Sequence, residues 1–129
     1  MIKYPIYVTL DTNILDAAHF DFDEKSTLQL LVNYVKKGKV KVVLSNIVVK
    51  EAEKHIAEKG AFICNLIRKR RADALKSVTE YQIKQLGLGH ILELSTNKAE
   101  IRQKSIALLH KYITDLDAEI LDTSRLNNN

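Results

Sequence analysis

The sequence predicts a helix-rich α/β fold around a central parallel sheet, and two observations carry the prediction. Residues 6–10 and 40–44, Ile-Tyr-Val-Thr-Leu and Val-Lys-Val-Val-Leu, are short runs of β-branched and apolar residues, the mark of strands covered on both faces. Each run gives way to polar, cap-forming residues and then to apolar positions at helical spacing. Strand, helices, strand, helix is the order that a parallel sheet with right-handed crossovers requires.

Bulk properties narrow the class. At 129 residues the chain is expected to form one domain, 1–129, with room for a real core. Apolar content of 46% with 28% charged residues is that of an ordinary soluble protein. Apolar runs fall far below the ~20 residues of a membrane span, and Met1-Ile2-Lys3-Tyr4-Pro5 lacks the apolar segment of a signal peptide. The expected location is therefore cytoplasmic, with no membrane partner. Cys64, in Ala61-Phe62-Ile63-Cys64, is the single cysteine, which excludes a disulfide framework and reads as a buried, inert thiol. A net charge of +4 is only mildly basic and by itself points weakly to a polyanion.

In chain order, Pro5 precedes the first strand, where no ladder hydrogen bond is needed. Asp11 to Phe20 reads as a turn and a short helix that Thr12 and Asn13 help to cap. Asp21-Phe22-Asp23-Glu24 offers the cap of a second helix. Leu28, Leu31, Val32 and Val35 give that helix its apolar face, and Gly38 ends it. After the second strand, Ser45 and Asn46 cap a third helix that is expected to stop at Gly60. Residues 61–86, with neither Gly nor Pro, predict one long or broken helix ending at Gly87-Leu88-Gly89-His90. Ile91–Leu94 fits a short strand and an irregular link equally well. Asn97 and Glu100 predict a capped helix to about Ile113. A last helix is expected from Thr114-Asp115 to Leu126, ahead of the polar turn Asn127-Asn128-Asn129.

Three acids take corresponding places in this order. Asp11 ends the first strand, where open parallel sheets carry their reactive groups. Glu51 follows the second strand by about one and a half helical turns. Asp117 falls in the first turn of the expected last helix, on the face of Ile120 and Leu121. Each has an ordinary structural explanation: a helix cap for Asp11, an exposed helical acid for Glu51, and a dipole-favoured acid for Asp117, with Asp115 competing for its place. Gathered at one sheet edge they would repel, by on the order of 4 kcal/mol for two charges ~4 Å apart at an effective dielectric near ~20. Protonating one acid relieves this, and so does a cation. Oxygen-only ligands select Mg²⁺ or Mn²⁺. His19, His55, His90 and His110 are scattered and offer no zinc spacing.

Leu10-Asp11-Thr12-Asn13-Ile14, then Leu44-Ser45 with Glu51 six residues after Ser45, then Thr114-Asp115-Leu116-Asp117-Ala118-Glu119-Ile120-Leu121, resemble the PIN-domain family in order and spacing. The resemblance implies a three-layer α/β/α domain that cleaves RNA with Mg²⁺ or Mn²⁺. Asp11, Glu51 and Asp117 would be its metal ligands and catalytic residues, supported by Thr12, Asn13 and Ser45. It also implies a further strand after the Asp117 helix, ending in Thr/Ser-x-Asp. That strand is expected to begin where this sequence reaches Asn129. The fourth acid is then left to a longer chain or to a protein partner or homo-oligomer, or it is missing. A missing acid favours a rival reading, a non-catalytic PIN-like module that binds RNA or protein. A third reading is a mainly helical adaptor over residues 61–126.

Arg68-Lys69-Arg70-Arg71 is the densest basic run. On a helix it fans over more than one face, which describes a solvated surface first and an RNA phosphate track second. The run has no interleaved aromatics, which argues against base stacking. His55, four residues after Glu51, reads as a surface histidine.

Overall fold

The computed structural model describes residues 2–94 and 96–123. Strand β1 (Ile6–Val8) leads through α1 (Thr12–Ala17) and α2 (Thr27–Lys36) to β2 (Val40–Ser45). Helices α3 (Asn46–Ser77) and α4 (Glu80–Gln85), a 3₁₀ turn (Gly89–Glu93) and α5 (Lys98–Asp115) then lead to β3 (Glu119–Leu121). The sheet is parallel, in the order β1-β2-β3, with Val8 beside Val42 and Leu44 beside Ile120. The fold is α/β and helix-rich, with the parallel sheet that the sequence predicts.

Both crossovers step the same way across the sheet, and right-handed crossovers that do so lay their helices on one face. Val42 and Leu44 are buried there against Leu28 and Val32 of α2, Ala52 and Ile56 of α3, and Leu109 and Tyr112 of α5. The Tyr112 hydroxyl donates to the Leu28 carbonyl at 2.6 Å, its ring stacks on Phe22, and burial pushes its phenol up to about 12. On the other face Tyr7, Lys41, Glu119 and Leu121 are exposed, so cover on both faces of these strands is not found among the described residues.

Local chemistry moves several boundaries. Ser26, not the acids at 21–24, caps α2, its hydroxyl accepting from the Gln29 N–H at 3.1 Å. Gly60 does not end α3. It lies buried mid-helix where α5 crosses, and a Cβ there would meet Ser105 Oγ at 2.8 Å and Ile101 Cγ2 at 3.0 Å. The glycine is there for close approach. The long helical stretch breaks at Val78, which is extended, and Thr79 then caps α4 reciprocally with Gln82. Ile91–Leu94 forms no strand; its first three residues belong to the 3₁₀ turn.

The helix expected from Thr114 to Leu126 is replaced by a turn and a strand. α5 carries on to Asp115, and Leu116 is fully buried at its end. Asp117 then reverses the chain at φ 48, a left-handed conformation that Asp tolerates better than most residues. Residues 124–129, into which that helix was to run, lie outside the described residues.

Candidate functional site

The carboxyl edge of the sheet collects polar side chains. Asp11, just beyond β1, accepts the Ile14 N–H on Oδ1 at 2.8 Å and so caps α1. Thr12, next to it, is only 6% exposed, and its hydroxyl donates to Glu51 Oε2 at 3.1 Å. That bond draws Glu51, on α3, to the residue beside Asp11. Ser45, at the end of β2, caps α3 by accepting from the N–H groups of Ile47 and Val48 at 3.0 and 3.4 Å, which fixes the helix that presents Glu51. Both acids are exposed, as is Asn13.

Asp117 does not join them. It precedes β3, level with Lys41 near the amino end of β2, whereas Asp11 lies near the level of Ser45. Along the strands alone that is a separation of about 13 Å. The expected placement depended on a helix starting at Asp117, and the chain makes a strand there instead. The acid at the carboxyl end of β3 is Asp122. Its Oδ1 accepts from Asn46 Nδ2 at 3.3 Å, and the Thr123 N–H donates to Asn46 Oδ1 at 3.0 Å. The signal that finds it is a repeated tripeptide, Leu10-Asp11-Thr12 and Leu121-Asp122-Thr123, each closing a strand that flanks β2.

A PIN-domain family model matches residues 8–127. The chain belongs to the PIN domain family. PIN domains are generally nucleases. No curated protein and no solved structure matches the chain. No described helix of this PIN domain is long and apolar enough to cross a membrane.

The donor set of this PIN domain suits a hard cation. Among the described residues no three His, Cys, Asp or Glu side chains converge. Mg²⁺, however, is ordinarily held by one or two carboxylates together with waters and substrate phosphate, not by an all-protein cage. Asp11 and Glu51 are carboxylates that could serve in that way, each with an oxygen beyond the bonds described above.

One turn further along α1 and α3 lies a second polar pair. His55 Nδ1 lies 3.0 Å from Asp16 Oδ2, and Lys59 Nζ lies 3.4 Å from Asp16 Oδ1. The His55 hydrogen bond holds the Asp16 carboxyl below its ordinary value, with Lys59 adding to the effect against some desolvation. The basic run divides. Arg68 donates to the Thr96 carbonyl at 2.8 Å and Arg71 to the Leu94 carbonyl at 2.6 Å, so each ties a backbone carbonyl ahead of α5 to α3. Lys69 and Arg70 are exposed.

Proposed function

We propose that this PIN domain is a metal-dependent ribonuclease that hydrolyses RNA phosphodiester bonds at the carboxyl edge of its sheet, with Asp11 and Glu51 holding Mg²⁺ or Mn²⁺. The observation that carries this is the Thr12–Glu51 hydrogen bond, which unites the strand-end Asp-Thr-Asn with the acid of α3. A divalent ion there supplies Lewis acidity and offsets charge on the phosphodiester. The chain's own residues supply position. Thr12 orients Glu51, and the Ile14 N–H fixes one oxygen of Asp11 and leaves the other for a ligand. Asp122 is the further acid we assign to this edge, and Asp117 has no part in it.

A labelled single-stranded RNA incubated with Mn²⁺ tests the proposal. Wild type is expected to cleave it, and Asp11→Asn and Glu51→Gln to lose cleavage at least a hundredfold. Equal cleavage by all three removes these acids from the chemistry. The absence of three converging acids among the described residues favours a second reading, a PIN-like module that binds RNA without cutting it. Salt-dependent binding with no cleavage under any divalent ion would establish that reading instead.

A further inference from the structure

We propose that the open concavity of about 400 Å³ lined by Asp16, His55, Glu58, Lys59 and Phe62 binds single-stranded RNA, with Phe62 under a base and Lys59 on a phosphate. This deepens the functional reading above and rests on its assignment of RNA as the ligand.

Phe62 is 67% exposed, although it sits on a helix that packs its other side against α5. An aromatic ring left in water beside a cation, here Lys59, is a pairing that single-stranded nucleic acids use, since every base has a face to stack and every link a charge. The basic run Arg68–Arg71 contains no aromatic, but helical geometry supplies one. Glu51, His55, Lys59, Phe62, Lys69 and Arg70 fall within an arc of about 100° on α3. α1 covers the first part of that stripe through Thr12 and Asp16, and the stripe continues past it to Phe62.

Asp16 does not oppose an anion here as a bare acid would, because His55 and Lys59 both face it. Glu58, the second acid of the lining, is exposed and works against an anion, so the positive charge that draws the strand along α3 comes from Lys59 together with Lys69 and Arg70 beyond it. With Nδ1 turned to Asp16, His55 keeps Nε2 for a ligand. Phe62 lies eleven residues beyond Glu51, about 16 Å along the helix axis. A strand whose scissile phosphate sits at the carboxylate edge therefore lays its flanking nucleotides along α3, reaching first Lys59 and Phe62 and then Lys69 and Arg70.

The test is binding of a labelled oligouridine strand to the full chain in EDTA, read by fluorescence anisotropy over a salt series, so that affinity is measured apart from cleavage. Phe62→Ala is expected to weaken binding about fivefold or more, with Phe62→Tyr restoring it. Lys59→Gln is expected to reduce the slope of log Kd against log salt by about 0.7. Arg71→Gln is expected to leave both unchanged. Wild-type affinity and slope in Phe62→Ala and Lys59→Gln overturn the proposal. So does a dimer that Phe62→Ala dissociates in sedimentation while RNA affinity stays fixed, because the surface would then be a contact between copies. Asp11→Asn separates the two readings: if its loss of cleavage fails to appear, the metal assignment falls, whereas the Phe62 and Lys59 effects on binding stand or fall by themselves.

Discussion

Asp11 performs two tasks, and two substitutions separate them. Its Oδ1 caps α1 through the Ile14 N–H at 2.8 Å, a structural task in which Asn serves as well as Asp. Holding a cation is an electrostatic task that Asn performs poorly. Asp11→Ala removes both, and losing a cap costs about 1 kcal/mol. For a chain of this length that is a fall of about 4 °C in melting temperature. Asp11→Asn keeps the cap, so its melting temperature without metal is expected within about 1 °C of wild type, the small difference coming from a lost charge near the helix N-terminus. Added Mn²⁺ reads the second task. At a free concentration ten times its Kd it stabilises wild type by about 1.4 kcal/mol, or about 5 °C, and leaves both variants unmoved. Differential scanning fluorimetry with and without Mn²⁺ gives all six values. An Mn²⁺ shift in Asp11→Asn equal to that of wild type refutes the assignment of Asp11 as ligand, and an unchanged melting temperature in Asp11→Ala refutes its role as cap.

Three further outcomes follow from the geometry. Thr12→Val removes the buried hydroxyl that meets Glu51 and is expected to cost about 1.5–3 kcal/mol, as for a hydrogen bond to a charged group, and to weaken the Mn²⁺ shift; an unchanged shift would detach Thr12 from the site. Gly60→Ala puts a methyl 2.8 Å from Ser105 Oγ and is expected to destabilise by about 1–3 kcal/mol in chemical denaturation, whereas a stabilised variant would show that α5 gives way. Asp16 titrates below its ordinary value of 3.8 in the folded chain, so its contribution is present above that pH and lost as pH falls through and below it. Thermal melts of wild type and Asp16→Asn are therefore expected to differ at pH 6 and to converge below about pH 3.8, and a constant gap would refute the pairing with His55.

How much of this was legible in the sequence depends on what kind of signal each residue sends. β1 and β2 announced themselves by composition, and the caps at Ser45 and Asn97 by local hydrogen-bonding chemistry that needs only two or three neighbours. The cap of α1, expected from Thr12 and Asn13, falls instead to Asp11, because the Thr12 hydroxyl is turned to Glu51. β3 did not. Glu119-Ile120-Leu121 is too short to show alternation, and Ile120 and Leu121 stand at i+3 and i+4 from Asp117, the spacing of a helix face. What decides for a strand is tertiary: Leu116 is buried among the core residues and β2 offers an open edge. Gly60 misled in the same way, because a glycine that ends a helix and one that lets a second helix close in look alike until the second helix is placed. Asp122 could have been found from the repeat of Leu-Asp-Thr, a cue that is independent of helical periodicity.

The side of α3 on which Gly60 lies also determines where ligands can go. Gly60 and Phe62 point about 160° apart around the helix, so the contact that seats α5 against Gly60 turns Phe62 away from the core. α5 is therefore kept off the stripe that begins at Glu51, and among the described residues it is α1 that covers part of it, through Thr12 and Asp16. A bulkier residue at position 60 would push α5 outward. It would not create a competing cover for the stripe, so its effect on RNA affinity should be small relative to its effect on stability. The carboxylate edge and the α3 stripe are in this sense set by one helix, whose capped start fixes Glu51 and whose packed back leaves Lys59 and Phe62 facing outward.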